Sequence, residues 1–198
     1  MREPVPLHRV HQAIFDFCRG RADVVVFGAQ AVNVHVRQPR MTQDVDLLAA
    51  DPRALAKTLA THLHATLRIA VRVREIRAGV GYRIYQARKE GTRHLADVRV
   101  SQDGLDDAVE RGGVRYTTVP LTIAMKVCAY AKRRLAPKGA TDLADLRRLL
   151  LAHPKFRSEG GAVAEIIVRL GGEEAAQAAW REIVHQPVVS DDDVDEGY

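Results

Sequence analysis

Residues 22–48 decide the fold and read ADVVVFGAQAVNVHVRQPRMTQDVDLL. The β-branched apolar run at 22–27 predicts a buried strand that ends at Gly28. Apolar residues then predict a helix over 29–36, and Gln38-Pro39-Arg40 ends it. Residues 44–48 predict a second strand. A strand, a glycine, a helix and another strand in this order indicate an α/β fold.

Asp44 and Asp46 are the residues of this stretch best suited to chemistry. Residues two apart in a strand point the same way, so the two carboxylates are expected to project side by side while Val45 and Leu47 enter the core. Carboxylates that close repel each other unless a cation lies between them. Hard oxygen ligands of this kind suit Mg²⁺, which also bridges to substrate phosphates. On its own, an Asp-x-Asp pair also arises by chance at exposed strand ends.

The residues before the carboxylates favour a phosphate site. Gly28 lies between the first strand and its helix, where a glycine lets the backbone approach a ligand and the helix start offers free N–H groups. A plain tight turn explains Gly28 equally well. Arg40, just ahead of Asp44, could neutralise a triphosphate, or it could be a solvated loop residue.

The rest of the chain predicts further strands and then helices. Helices are expected at 11–18 and from Asp51-Pro52 to 62. Alternation over 67–74 predicts a strand with a basic face formed by Arg68, Arg72 and Arg74, and strands follow at 82–88 and 94–100. A short helix is expected between 104 and 112. From Pro120 the apolar spacing becomes helical. We therefore expect an α/β core over 1–119, a helical portion over 120–189, and a disordered acidic tail over 190–198.

Composition limits the class of protein. The chain has 198 residues and two cysteines, too few for a disulfide framework, and no apolar run long enough to span a membrane. We expect a cytoplasmic protein. The last eight residues hold five acidic and no basic side chains, so residues 1–190 carry a net charge of +10 instead of +5. That balance favours polyanionic partners, although a solvated basic surface explains it equally well.

Two motifs together resemble a known superfamily. Phe27-Gly28-Ala29-Gln30-Ala31, followed by Arg40-x-Thr42-x-Asp44-Val45-Asp46-Leu47, is similar to the signature of DNA polymerase beta-like nucleotidyltransferases. The similarity is strongest to the branch of abortive-infection (AbiE-type) toxins and related tRNA-modifying toxins. Many members have Gly-Ser at the helix start, whereas this chain has Gly28-Ala29, which removes one hydroxyl contact to phosphate.

The resemblance implies a mixed sheet with flanking helices, followed by a helical portion that closes the site. It implies Mg²⁺, or Mn²⁺, bound by Asp44, Asp46 and a third carboxylate, Asp97. It also implies that nucleotide is bound by Gly28, Ala29, Arg40, Thr42, Lys126 and Arg133, and that Lys126 and Asp142 take part in catalysis. For Arg133 and Asp145 an ion pair between helices is an equal alternative.

The implied reaction moves a nucleoside monophosphate from a nucleoside triphosphate to RNA, most of all the 3′ end of tRNA. The implied setting is a toxin–antitoxin pair with a cognate antitoxin. The superfamily also uses protein hydroxyls and small molecules such as aminoglycosides as acceptors. A non-catalytic RNA-binding or regulatory relative, favoured by Ala29, is the alternative from another class. A glycosyltransferase with its own Asp-x-Asp is disfavoured by the short sheet region and by Arg40-x-Thr42.

Overall fold

The computed structural model describes residues 5–101 and 103–189, and these form two compact units. The first unit contains the described residues up to 31 together with 40–117, and the second contains 32–39 together with 118–189. The division falls within one helix, α2. The predicted acidic tail, 190–198, lies outside the described residues.

The first unit is an α/β sandwich of one sheet with flanking helices. Its elements in chain order are α1 (Leu7–Cys18), β1 (Val24–Phe27), the start of α2 (Gly28–His35), β2 (Val45–Ala49), α3 (Pro52–Leu67), β3 (Val71–Arg77), β4 (Gly81–Ala87), β5 (Thr92–Val100), α4 (Asp103–Asp106), β6 (Ala108–Arg111) and β7 (Val114–Thr117).

Among the described residues the strands form a seven-stranded sheet in the order β3-β4-β5-β2-β1-β7-β6. The pairs β2–β5 and β1–β7 are parallel and the other neighbours are antiparallel, so the sheet is mixed. The α/β class with a mixed sheet and flanking helices, predicted from the sequence, is confirmed.

The two faces of the sheet differ in chemistry. Val45 and Leu47 of β2 are fully buried, as predicted, together with Ile84 of β4. Helix α3 lies on this apolar face, since Arg53 and Lys57 of α3 line one surface cleft with Val73 of β3. The opposite face, called the polar face below, carries the row of Arg74, Arg83, Asp97 and Asp46, because successive side chains of a strand point to opposite sides.

The predicted strand over 67–74 is wrong in its first half. Helix α3 begins at an N-cap, where Asp51 Oδ1 accepts a hydrogen bond from Ala54 N at 2.9 Å, and it continues to Leu67. Arg68 then adopts a left-handed conformation (φ 52°) that ends the helix, and β3 starts at Val71. Leu67 at the end of the helix and Ile69 after the cap extend the alternation of β3 backward and so imitate a strand. Arg68 therefore does not share a strand face with Arg72 and Arg74.

The segment between 104 and 112 also differs from the prediction of a single short helix. Helix α4 has four residues, and an antiparallel hairpin of β6 and β7 follows it. Gly112 and Gly113 form the two-residue turn, both with positive φ (59° and 77°), which is the conformation that a tight hairpin needs.

The second unit is helical. It contains the end of α2 and the elements α5 (Val119–Lys132), α6 (Pro137–Ala152), a short 3₁₀ helix (Pro154–Phe156), α7 (Ala162–Arg169) and α8 (Glu174–His185). Helix α5 is central and packs against α6, α7 and α8. Trp180 of α8 is almost fully buried in this core with Leu146 and Leu149 of α6. Within 5–101 and 103–189, every helix falls short of the length or apolar character needed to cross a bilayer.

Candidate active site

The centre of the candidate site is the contact between Gly28 and Asp46. Gly28 is the first residue of α2 and has a φ of +68°, which side-chain-bearing residues rarely adopt. A Cβ atom added to Gly28 would overlap Oδ2 of Asp46 and lie 3.0 Å from its Cγ. The Asp46 carboxylate thus lies directly against the backbone at the start of the helix. Glycine is required here for its conformation and for its size.

Strand register brings two of the three predicted carboxylates together. Asp46 of β2 is the direct partner of Asp97 on the parallel neighbour β5. Partners in register have side chains on the same face of a sheet, so both carboxylates project from the polar face. Asp44 lies one residue before β2 and is linked to Asp97 by a third side chain, His94.

His94 bridges two of the carboxylates. Its Nδ1 is 2.9 Å from Asp44 Oδ2 and its Nε2 is 2.9 Å from Asp97 Oδ1. Burial lowers the pKa of His94, but the hydrogen bonds to Asp44 and Asp97 outweigh burial and raise it to about 9. With a carboxylate oxygen on each nitrogen, the ring is held as an imidazolium, a positive charge between two negative ones.

A bulge in β5 turns His94 toward the site. The register between β4 and β5 shifts by one residue, since Ile84 pairs with Ala96 whereas Tyr85 pairs with His94, and Leu95 is left without a partner. Without the extra residue, strict alternation would place His94 on the face opposite Asp97. Bulges often re-aim a side chain in this way beside functional sites.

Asp97 is held by an arginine fork as well. Arg83 of β4, its direct cross-strand partner, donates from Nε to Oδ1 at 2.6 Å and from Nη2 to Oδ2 at 2.8 Å. Burial raises the pKa of Asp97, but the hydrogen bonds from Arg83 and His94 overcome burial and hold it well below its usual range. The hydrogen bond to Asp97 in turn raises the pKa of Arg83. Both oxygens of Asp97 are therefore engaged by cationic groups.

Thr42 lies in the loop before Asp44 and is almost buried. Its hydroxyl accepts a hydrogen bond from Gln30 Nε2 at 2.7 Å and donates to the backbone oxygen of Asp44 at 3.2 Å. Thr42 thus ties the loop to α2 and fixes the backbone of Asp44. Ala29 follows Gly28 in the first turn of α2, and Arg40 donates from Nη1 to the Met41 oxygen at 3.2 Å.

The donor set only partly fits a divalent cation. Asp44 and Asp46 supply hard oxygen ligands that suit Mg²⁺ or Mn²⁺. Asp97 lies in register beside Asp46, but Arg83 and His94 occupy its oxygens. In the described part of the chain, no three His, Cys, Asp or Glu side chains form a group that could hold a metal ion. Binding by all three carboxylates therefore requires Asp97 to exchange its partners.

The predicted residues of the helical unit form a buried ion-pair network. Lys126 of α5 is 8% exposed, and its Nζ is 3.1 Å from Asp142 Oδ1 and 2.7 Å from Asp145 Oδ2 on α6. Arg133 Nε is 2.6 Å from Asp142 Oδ2. Arg133 thus forms an ion pair with Asp142 of α6, and Lys126 links Asp142 to Asp145. Lys126 lies on the buried side of α5 together with Val127.

Two residues of the site, His94 and Arg83, were not identified from the sequence. His94 stands three residues before Asp97, and this His-x-x-Asp spacing could have drawn notice. Such spacing in a regular strand places the two side chains on opposite faces, so only the bulge brings them together. Arg83 gives no local signal, because its relation to Asp97 arises from strand pairing alone.

Comparison with protein families and with curated proteins finds no match to this sequence. Solved structures do match. The polyadenylate synthase of Megavirus superimposes with a TM-score of 0.60 and 15% identity over 74% of this chain and 31% of that chain. JHP933 from Helicobacter pylori matches with a TM-score of 0.50 and 14% identity, over 90% of this chain and 87% of that one. This chain therefore spans about a third of the viral polyadenylate synthase.

Identities this low establish the fold alone. The chain has a nucleotidyltransferase-like fold. The abortive-infection branch suggested by the sequence motifs stays a prediction.

Proposed function

We propose that the protein is a metal-dependent nucleotidyltransferase that moves a nucleoside monophosphate from a nucleoside triphosphate to an acceptor. The observation that carries this proposal is the placement of Asp46 beside Asp97 on parallel strands and against Gly28 at the start of α2. Carboxylates and the open end of a helix are the groups that a metal–triphosphate complex needs. The nucleotidyltransferase-like fold supports it.

Different residues of the chain would bind the metal, bind the phosphates and balance their charge. Asp44 and Asp46 would hold Mg²⁺ or Mn²⁺, and Thr42 fixes the backbone of Asp44. The first N–H groups of α2 lack partners within the helix and would donate to phosphate oxygens beside Gly28. When bound, the metal would neutralise charge on the phosphates and lower the pKa of an attacking hydroxyl. Arg40 would balance charge on the triphosphate.

The polar face of the sheet supports RNA as the acceptor. Strand pairing forms one row from Arg74 through Arg83 and Asp97 to Asp46. Arg72, two residues before Arg74, shares this face, and both arginines are exposed. An RNA strand that lies across β3 and β4 would contact these arginines with its phosphates, and its end would reach the carboxylates. The acceptor that we propose is the 3′ end of tRNA. We further propose that the protein is the toxin of a toxin–antitoxin pair and has a cognate antitoxin as its partner.

A second candidate is a non-catalytic RNA-binding or regulatory relative. Ala29 in place of a serine favours it, and so does the engagement of Asp97 by Arg83. Transfer to a protein hydroxyl or to a small molecule such as an aminoglycoside would use the same carboxylates. A labelled nucleoside triphosphate distinguishes these alternatives: a non-catalytic protein transfers no label, and a catalytic one transfers it to RNA, to protein or to a small molecule.

The test is incubation with each α-labelled nucleoside triphosphate, Mg²⁺ and total RNA, followed by separation of RNA, protein and small molecules. We expect label in tRNA. Asp46→Asn should reduce transfer by about two to three orders of magnitude, the effect of removing one preorganised electrostatic group. Asp16→Asn, at an exposed carboxylate of α1, is the matched control and should retain transfer. Absence of transfer to any acceptor, with RNA binding intact, would favour the non-catalytic relative.

A further inference from the structure

Arg83 lies at a boundary of charge on the polar face. On one side it forms the two-point ion pair with Asp97, and on the other its cross-strand partner is Arg74. Two guanidinium groups thus stand next to each other in the row, and the carboxylates of Asp97 and Asp46 follow them. An anion that approaches from β3 would meet the two guanidinium groups before the carboxylates.

Arg83 and Asp97 differ in their access to solvent. The side chain of Arg83 is 35% exposed, whereas that of Asp97 is 4% exposed. A ligand on the polar face could therefore reach the guanidinium while the carboxylate stays covered. A guanidinium fork matches a phosphate as well as it matches a carboxylate, since both offer two oxygens in a plane.

The engagement of Asp97 also affects cation binding. A carboxylate that accepts three hydrogen bonds from cationic groups has little capacity left for a metal ion. The fork of Arg83 holds both oxygens of Asp97, and His94 links Asp97 to Asp44. An ion that requires Asp97 as a ligand would therefore compete directly with Arg83.

We propose that Arg83 is a phosphate-binding residue. Without substrate it forms an ion pair with Asp97, and when substrate binds it exchanges this carboxylate for a phosphate of the substrate. The exchange frees Oδ2 of Asp97 to ligate a second divalent cation while His94 stays on Oδ1, so substrate phosphate and the second cation enter together. This inference rests on the proposed function, because it assumes that Asp44, Asp46 and Asp97 face a phosphate-bearing substrate.

The test measures binding and does not depend on turnover. Mn²⁺ binding is followed by loss of the free-ion EPR signal in the wild-type chain, in Arg83→Met and in Arg83→Lys. Without nucleotide we expect one tight Mn²⁺ in the wild type. Arg83→Met should bind a second Mn²⁺ at least about ten-fold more tightly than the wild type does, because Oδ2 of Asp97 loses its charged donor and only His94, on Oδ1, still holds the carboxylate. Arg88→Met, an exposed arginine in the turn after β4, is the charge-matched control and should behave as the wild type.

A second arm identifies the phosphate. Affinities for a non-hydrolysable α,β-methylene triphosphate and for an RNA oligonucleotide are measured at fixed Mn²⁺. Arg83→Met should lower one of them by about ten- to hundred-fold, the loss expected for a two-point charged contact. A fall for the triphosphate alone assigns Arg83 to the nucleotide, and a fall for RNA alone assigns it to the acceptor. Arg83→Lys keeps the charge without the fork and decides the matter if the methionine variant does not fold.

Unchanged Mn²⁺ binding, or unchanged affinity for both ligands, in a folded Arg83 variant would overturn the proposal. Arg83 would then be a fixed counter-ion of Asp97. Failure of the proposed function gives a different result: the wild type would transfer no label, and Asp46→Asn would bind Mn²⁺ as the wild type does. Transfer by the wild type together with unaltered binding in Arg83→Met rejects only the role of Arg83.

Discussion

The carboxylate of Asp46 occupies the space that a side chain at Gly28 would need. A Cβ atom on Gly28 would overlap Asp46 Oδ2, and the φ of +68° at Gly28 disfavours any side chain. The glycine therefore joins the helix start and the carboxylate into one site. The alternative explanation from the sequence, a plain tight turn, accounts for the positive φ and leaves the close approach unexplained.

Gly28→Ala should abolish tight Mn²⁺ binding, because the methyl group must displace the Asp46 carboxylate. Gly20→Ala is the matched control: Gly20 has a φ of +70°, and nothing lies within 4 Å of an added Cβ. Both variants carry the backbone cost of a left-handed residue, roughly 1–2 kcal/mol. Thermal unfolding and Mn²⁺ titration of the two proteins separate strain from steric displacement. Equal Mn²⁺ affinity in both variants would contradict the close contact.

Lys126→Met should destabilise the chain, since it leaves Asp142 and Asp145 buried with fewer cationic partners. Removing one partner of a buried ion pair costs about 3–5 kcal/mol, and the remaining contact between Arg133 and Asp142 favours the lower end of that range. Urea unfolding measures the change, and Lys132→Met, at an exposed lysine of the same helix, is the control. Normal stability with weakened triphosphate binding would instead support the sequence-based role of Lys126 in nucleotide binding.

The order of the elements around the carboxylates could be predicted from the sequence because local signals determine it. The apolar run before Gly28 and the Asp-x-Asp pair after Arg40 each depend on a few neighbouring residues. The pairing of Asp46 with Asp97 depends on strand order, and the sequence placed Asp97 only through resemblance to a family. Strand order reflects packing between distant segments, so no local pattern encodes it.

The errors in the sequence analysis have similar causes. Leu67 and Ile69 continue the alternation of β3 backward, but the backbone up to Leu67 belongs to the last turn of α3. The bulge at Leu95 changes which face His94 occupies, and a single extra residue in a strand leaves no compositional trace. Both features depend on tertiary context, which overrides the period of the sequence.

Cys18 should resist thiol reagents in the folded chain. It is 1% exposed on α1, and burial raises the pKa of its thiol to about 12. The thiolate is the reactive form, so both access and ionisation oppose reaction near pH 8. In Cys128→Ser, Ellman's reagent should detect almost no thiol until denaturant is added, whereas in Cys18→Ala the half-buried Cys128 should react slowly without denaturant. Rapid native labelling of Cys18 would contradict the packing of α1.

Arg72 and Arg74 should contribute to the salt dependence of RNA affinity. Both are exposed on the face that carries Asp46, whereas Arg53 and Lys57 of α3 border a cleft on the opposite face. Each phosphate contact to a single strand contributes about 0.7 to the slope of log affinity against log salt concentration. Replacing Arg72 and Arg74 by Ala should therefore reduce the slope for a tRNA 3′-end oligonucleotide by about 1.4. Fluorescence anisotropy over a salt series measures it.

The control for that prediction is the double change of Arg53 and Lys57 to Ala, which removes the same charge from the other face. If the RNA lies across β3 and β4, this control should leave the slope close to that of the wild type, because exposed charges more than about 10 Å away are screened at 0.1 M salt. Equal losses in the two double variants would indicate attraction to net charge without a defined path. Weak binding that is insensitive to salt in the wild type would argue against RNA and make a protein hydroxyl or a small molecule the first acceptor to test.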